Sequence, residues 1–259
     1  MTQKNNKLTS AYRRIYRRVY MVLSIVLCIF IIGTLLWTVS YLPPYGDTNT
    51  PTHNEVADRY VSQGLTETGA TNIVAGMILD YRAFDTLGES FVLFTAFCSC
   101  LIILQGSEFV KQHRPDKYRT FDDNILRYTM YVIVPMVMLF GVYVLLNGHL
   151  SPGGGFSGGA ILGAGLVLMS LAFGHNTVSR FLTPHRIRVI TCCSLCFYCL
   201  AKSYSFFTGA NELHSIIGPG VAGNILSGGL ILPLNIAVGC VVACTMYSFY
   251  CLFERGDLK

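Results

Sequence analysis

Charged residues are scarce in this sequence: Asp, Glu, Lys and Arg make up 13% of the 259 positions, about half the share usual in soluble domains. The sequence has no nucleotide-binding fingerprint of the strand–loop–helix kind and no histidine pair inside an apolar run that would ligate haem. These absences argue against an independent redox enzyme. Apolar residues are abundant instead, at 52%, which is typical of a membrane protein.

Six apolar runs approach or exceed the roughly 20 helical residues that span a bilayer. They are 20–42, 87–104, 128–146, 156–173, 187–207 and 230–253. The fifth run begins beside Arg188 and is interrupted in its interior by Lys202 near the other end, from where a lysine stem reaches the membrane interface. The predicted fold is therefore all-α and integral to the lipid bilayer, with about six spanning helices and no soluble catalytic domain.

The basic residues fall on alternate sides of these runs. Six precede the first run, five separate the second from the third, three separate the fourth from the fifth, and two follow the sixth, out of 19 in all. Cytoplasmic flanks of spans are enriched in Lys and Arg, so we expect a cell-membrane protein with both termini cytoplasmic. The basic residues form no continuous stripe, so a nucleic-acid partner is not expected.

The most polar internal stretch divides the chain into two modules, two spans followed by four. The predicted parts are a basic cytoplasmic N-terminus, a two-span module, a cytoplasmic linker, a four-span module and a cytoplasmic tail, at 1–19, 20–106, 107–124, 125–254 and 255–259. Residues 43 to about 63 are predicted to form an irregular external loop. The stretch 67–80 is too short to cross, and it predicts a re-entrant or interfacial helix before the second span.

An acidic cluster leads into the second span and contains Asp80, Arg82, Asp85 and Glu89. Ionisable residues in a membrane segment often mark ion or proton routes. Three carboxylates around one arginine leave excess negative charge to hold a proton or Na⁺. The alternative is structural, with Asp85 as a helix N-cap and Arg82 as its neutralising partner.

A glycine-rich elbow separates the third and fourth runs, at 147–159. The residues expected to shape it, and to form a small-residue stripe for close helix packing, are Pro152, Gly153, Gly154, Gly155, Phe156, Gly159 and Gly163. His149 beside the elbow is a candidate proton relay, or simply a hydrogen-bonded interfacial histidine.

Lys202, Glu212 and His214 lie near the external end of the fifth run and are a second candidate part of a charged pathway. The alternative is that Lys202 only reaches the interface and the other two are solvated.

Cysteines at 192, 193, 196 and 199 have a spacing that resembles that of metal ligands. They spread over more than one helical face without a second pair or a nearby histidine, so we expect no metal site and no cofactor in this chain.

Two of these segments resemble a known family. Gly148-His-Leu-Ser-Pro-Gly-Gly-Gly-Phe-Ser-Gly-Gly159 resembles the GHNxPGGGFxGG signature of the B subunit of Mrp-type Na⁺/H⁺ antiporters, which the F subunit of membrane-bound hydrogenases shares. The segment from Glu67-Thr-Gly-Ala-Thr-Asn72 to Glu89 resembles the E subunit of those hydrogenases and the C-terminal end of the large antiporter A subunit. The two likenesses cover nearly the whole chain from about residue 60.

The resemblance implies a fused E-plus-F type subunit of a complex that couples H⁺ movement to Na⁺ movement. Its implied partners are large antiporter-like subunits, small C-, D- and G-type subunits and, in redox-driven assemblies, peripheral iron–sulfur or hydrogenase subunits. By motif position, Glu89 and Asp85 would lie near the ion route, with Glu67 in the same element. Pro152 and Phe156 would be elbow positions that matter for activity. Leu150 stands where the family usually has Asn, and Ala83 where Gly is frequent.

Three functional hypotheses follow from the sequence. The favoured one is a non-catalytic transport subunit within a hydrogenase-like or other redox-driven complex, since dedicated antiporters usually carry the E part on their A subunit. The second is a subunit of a stand-alone Mrp antiporter. The third is a structural spacer that only fills volume between active subunits, for which the glycine stripe is the supporting feature.

Overall fold

The computed structural model describes residues 2–42, 44, 46, 54–105, 124–211 and 216–255, and these contain helices and no strand. The α-helices are α1 (Thr2–Ser40), α2 (Glu55–Thr68), α3 (Ile73–Gly76), α4 (Ala83–Gln105), α5 (Asn124–Leu146), α6 (Gly155–Phe173), α7 (His175–Ser179), α8 (Pro184–Ala210) and α9 (Ile231–Arg255). Six of them, α1, α4, α5, α6, α8 and α9, are long and apolar enough to cross a membrane. The predicted six-span, all-α fold is confirmed.

Helix α1 belongs to a compact unit of its own, Met1–Glu55. Its apolar part, Tyr16–Ser40, has a mean hydropathy of 2.8, and none of it is buried within the protein. A helix that is apolar all round is stable only where lipid or another apolar surface surrounds it. Helix α1 is therefore built to be surrounded by bilayer or by another membrane chain.

The second compact unit, Val56–Lys259, is organised around α9. Helix α9 packs against α6, α8 and α4, and α6 packs in turn against α5. About two thirds of the membrane-crossing part of α9 is buried. Two hydrophobic clusters lie along it, one around Leu234 and Val238 and the other around Cys244 and Tyr247.

Close packing of α6 on α9 depends on glycine. A Cβ at Gly159 would stand 2.7 Å from the carbonyl oxygen of Gly239, and one at Gly155 would stand 2.7 Å from the carbonyl oxygen of Asn235. Gly163 lies one turn further along and faces Met246. Small residues every fourth position let two helix backbones approach closely, and this brings the start of α6 against the start of α9.

The segment before α4 is more helical than expected. The predicted short helix is present as α3, which continues into a π-helical turn, Met77–Tyr81. The prediction of an irregular loop to about residue 63 is wrong for its last part, because α2 begins at Glu55. The physical reason is that the prolines end at Pro51, whereas Ala57, Tyr60 and Gly64 recur at helical spacing and form the less exposed face of α2.

Candidate ion-handling site

A buried ion pair joins the segment before α4 to α8. The Nζ atom of Lys202 donates a hydrogen bond to Oδ1 of Asp80 at 2.9 Å. The Lys202 side chain is only 3% exposed, whereas that of Asp80 is 39% exposed. Burying an ammonium group is costly unless a carboxylate pairs with it, so Asp80 supplies the counter-charge that keeps Lys202 in place.

Asp80 lies in the wall between two cavities. The polar cavity has a volume of about 460 Å³, and its lining includes Glu67, Thr68, Asp80, Ser205 and Thr208 together with residues 216–219 and 228–230. The second cavity has a volume of about 260 Å³ and is lined by Lys202, Asp80 and Ser205 among others. Asp80 and Ser205 line both cavities, whereas Lys202 lines only the second of the two.

Glu67 is held in a separate polar contact at the edge of the polar cavity. Arg59 Nη2 lies 2.9 Å from Oε1 of Glu67, and the Tyr81 hydroxyl donates a hydrogen bond to the other carboxylate oxygen. The hydrogen bond from Arg59, which has the larger effect, and the hydrogen bond from Tyr81 hold the pKa of the Glu67 carboxyl below its ordinary value. Burial, followed by the bond to Glu67, raises the pKa of Tyr81 to about 12, so at neutral pH Glu67 is ionised and Tyr81 keeps its proton.

The remaining members of the predicted acidic cluster lie on the outer surface. Arg82 and Asp85 form an exposed ion pair at 2.5 Å, and Glu89 is exposed one turn further along α4. Helix α4 begins at Ala83, so Asp85 lies in the first turn and is not the N-cap. The three carboxylates do not gather around Arg82, because Asp80 turns inward to Lys202.

The elbow residues form a compact turn against the start of α9. A Cβ at Gly148 would stand 2.6 Å from Cα of Gly154. The Oδ1 atom of Asn235 accepts a hydrogen bond from the Gly155 amide at 2.8 Å, which satisfies one of the free N–H groups at the start of α6. Pro152 and Gly153 are exposed, and Phe156 packs against the Leu234 cluster.

A clamp of hydrogen bonds fastens the segment after α2 to this elbow. The side-chain amide of Asn72 donates to the carbonyl oxygens of Gly148 at 2.9 Å and Ser151 at 3.0 Å. The Asn72 backbone amide donates to the carbonyl of His149 at 3.0 Å, and the Thr71 hydroxyl donates to that of Leu150 at 3.0 Å. We call these contacts the Asn72 clamp.

Replacing Asn72 with Ala is expected to lower the free energy of unfolding by about 1–3 kcal/mol, because two buried or half-buried carbonyls lose their donor. Asn72 Oδ1 also accepts from the Ala75 amide at the start of α3. Asn72→Asp keeps that acceptor and removes only the donors. Thermal unfolding of the purified protein in detergent measures both variants.

The control for Asn72 is Asn211→Ala. The Asn211 side chain is exposed and bonds only to the carbonyl of Phe207 among the contacts described for it, so its loss should cost about 0.5 kcal/mol or less. Equal losses at the two positions would show that the clamp contributes nothing specific.

Several of these residues were not foreseen from the sequence. The site also contains Asn72, Tyr81, Ser205, Thr208 and Asn235. Of these, only Asn235 could have been found from the sequence, because an amide inside an apolar span needs a polar partner.

The other predicted residues have different outcomes. His149 is fully buried, with Nε2 3.4 Å from the carbonyl oxygen of Asn224. Glu212 and His214 lie outside the described residues. Among those described, no group of three or more His, Cys, Asp or Glu side chains is arranged to hold a metal ion.

Comparisons with known proteins agree with this architecture. Residues 125–248 match the family described as a domain related to the MnhB subunit of Na⁺/H⁺ antiporters, and residues 21–115 match the family described as the E subunit of MBH. The B subunit of the Na⁺/H⁺ antiporter from Bacillus subtilis is 35% identical over 97 residues, which are 38% of this chain and 67% of that protein. The chain belongs to the MnhB-related family.

Two further relatives align with this chain over most of its length. An uncharacterized protein of Methanocaldococcus jannaschii is 30% identical over 210 residues, 72% of this chain and 80% of the relative. A chain in the structure of the membrane-bound sulfane sulfur reductase, an archaeal respiratory membrane complex, aligns with a TM-score of 0.65 and 28% identity over 90% of this chain and 97% of that one. Several other antiporter relatives are only partly covered, from 16% to 48% of their length.

Proposed function

We propose that this MnhB-related chain is a membrane subunit of a multisubunit Na⁺/H⁺-translocating complex, and that Asp80, Lys202 and the polar cavity form part of its ion route. The observation that carries the proposal is the position of Asp80, which lines the polar cavity and also pairs with the buried ammonium group of Lys202. Buried ionisable residues in membrane segments are costly and are typically kept for transport.

Among the described residues, the charges at and beside the polar cavity are balanced. Glu67 and Asp80 contribute two negative charges, and Arg59 and Lys202 neutralise them. A cation that enters the cavity finds carboxylate, hydroxyl and carbonyl oxygens, the ligands that Na⁺ takes in transporters. Binding of the cation adds one positive charge to the site unless the cation displaces the Lys202 ammonium group from Asp80, or unless Lys202 loses its proton. Either event couples Na⁺ binding to a movement of positive charge at Lys202.

The outer surface of α4 supports an assembly with other subunits. Arg82, Asp85 and Glu89 are exposed at the start of a spanning helix, where lipid contact is unfavourable for charge. In the proposed complex, large antiporter-like subunits and small C-, D- and G-type subunits cover this surface, and the ion route continues along Asp85 and Glu89. Both termini are cytoplasmic, because that orientation places the basic flanks inside.

The structural likeness to a chain of an archaeal respiratory complex supports a redox-driven assembly over a stand-alone antiporter. In this proposal, Na⁺ and H⁺ are the transported ions, and the chain has no cofactor and no catalysis of its own. Any iron–sulfur chemistry belongs to peripheral partner subunits, which co-purification with the tagged chain would identify.

The proposal is tested with the double variant Asp80→Asn/Lys202→Met in the complete complex. The substitutions replace the ion pair by neutral groups of similar size, so folding and assembly are retained. Na⁺-dependent proton movement across inverted membrane vesicles, followed with a pH-sensitive dye, is expected to fall to the level of vesicles without the complex. Asp58→Asn, which neutralises an exposed carboxylate on α2, should leave transport unchanged.

The spacer hypothesis predicts the opposite result. If the chain only fills volume, an assembled complex with the neutral pair transports normally, and the proposed ion route through Asp80 is then wrong. Co-purification of the partner subunits with each variant shows that a loss of transport is not a loss of assembly.

A further inference from the structure

Three buried polar atoms lie in the region where the elbow packs against the turn before α9. They are Nδ1 of His149, Oγ of Ser227 and Nδ2 of Asn235, and none of them has a hydrogen-bond partner among the described residues. His149 and Ser227 are fully buried, and Asn235 is 1% exposed. Buried polar atoms in folded proteins are nearly always paired with protein or ordered water, so three such atoms in one region require an explanation.

The contacts of their neighbours place the three side chains together. The carbonyl oxygen of Asn224 accepts from the Ser227 amide at 2.9 Å and lies 3.4 Å from Nε2 of His149. Nδ2 of Asn235 would lie 3.0 Å from a Cβ on Gly148, the residue that precedes His149. We call this group of three the elbow node.

The hydrogen-bonding character of each atom follows from its fixed neighbours. Nε2 of His149 faces a carbonyl oxygen, which only accepts, so Nε2 carries the proton and Nδ1 of the neutral ring is an acceptor. Oδ1 of Asn235 accepts from the Gly155 amide, which fixes the orientation of the amide and makes Nδ2 a donor. The Ser227 hydroxyl can donate or accept. The elbow node therefore offers one acceptor, one donor and one group that can do either.

We propose that the elbow node is a binding site for ordered water, held by His149 Nδ1, Ser227 Oγ and Asn235 Nδ2. Water both donates and accepts, and buried water typically makes about three hydrogen bonds to such atoms. A metal cation does not fit, because the Asn235 N–H group would point at it. An anion does not fit either, because Nδ1 of His149 presents a lone pair.

The node adjoins the polar cavity through a residue without a side chain. Gly228 lines that cavity, and a Cβ on Gly228 would lie 3.8 Å from Cβ of His149. Gly228 therefore lies between the cavity lining and the His149 side chain, and exchange of water between the node and the cavity is part of this proposal. A transport role for this exchange rests on the proposed function, whereas the water site itself does not.

The test measures hydrogen–deuterium exchange at the carbon-bound Cε1 position of histidine, in the intact complex. This exchange needs water at the ring and passes through the doubly protonated imidazolium, and the label survives digestion, so mass spectrometry reports it for each histidine. His149 has no solvent-exposed surface, yet the water site predicts measurable deuterium uptake there, more slowly than at the exposed His185. Continued protection of the buried amides of α9 in the same sample shows that uptake does not come from unfolding.

A second measurement is independent of the first. A map of the complex at a resolution that shows solvent should contain a peak within about 3.2 Å of all three atoms. Absence of such a peak, with the three atoms well resolved in the map, overturns the water site. A direct bond between His149 Nδ1 and a protein side chain in the map overturns it as well. Neither readout depends on transport, so a failed transport assay and a dry node are distinguishable results.

Discussion

Asp80→Asn as a single substitution is expected to lower the free energy of unfolding by about 3 kcal/mol, because removing one partner of a buried ion pair leaves the other uncompensated. The stranded group is Lys202, which is 3% exposed. The value is taken from the lower end of the usual range, since the second cavity lies beside Lys202 and admits some water. Thermal or denaturant unfolding of the purified protein in detergent measures the change.

The reverse substitution, Lys202→Met, is expected to be milder. Asp80 is 39% exposed and faces the polar cavity, so its carboxylate stays hydrated without Lys202. The double variant should be more stable than Asp80→Asn alone, because neither charge is then left without a partner, and the cycle isolates the coupling between the two residues. Additive effects of the two single substitutions would contradict a coupled pair.

Gly159→Leu is expected to be about as damaging, with a loss of about 3 kcal/mol or failure to assemble, because overpacking forces backbones apart. Even the Cβ would stand 2.7 Å from the Gly239 carbonyl and 2.8 Å from Cβ of Val242. The rest of the leucine side chain has to be accommodated between α6 and α9. Yield of the assembled complex and its unfolding temperature are the measurements.

Gly88→Leu is the matched control for that substitution. Gly88 also lies within a spanning helix, and a Cβ placed on it meets nothing within 4 Å among the described residues. Leucine is a better helix former than glycine, by roughly 0.5–1 kcal/mol, so the unfolding temperature of the purified protein, without partner subunits on α4, should be unchanged or slightly higher. If both variants lose stability equally, the tight approach of α6 to α9 is not the cause.

The spanning helices were predictable from the sequence because the length and apolarity of a segment alone decide whether it can cross a membrane. Each predicted run lies within or beside an observed helix, and 156–173, for example, became Gly155–Phe173. The glycine period in 155–163 likewise indicated close packing, since spacing on one helix face is a local property. Neither inference required knowledge of which helix lies opposite.

The arrangement of the candidate site was not predictable in the same way. Asp80 and Lys202 are 122 residues apart in the sequence, and no local sequence pattern predicts that they form an ion pair. The π-helical turn Met77–Tyr81 also shifts the register before α4, so Asp80 faces inward while Asp85 faces outward. An extra residue in one helical turn redirects side chains, often at functional sites, and apolar periodicity does not reveal it.

The Asn72 clamp has a consequence for how the sequences of relatives diverge. Every bond that Asn72 and Thr71 make to the elbow ends on a main-chain carbonyl oxygen, at Gly148, His149, Leu150 or Ser151. Carbonyl oxygens are present whatever side chain a position carries. The leucine at position 150, where the resemblance leads one to expect asparagine, therefore leaves the contact intact, and substitutions at positions 150 and 151 can accumulate without loosening it.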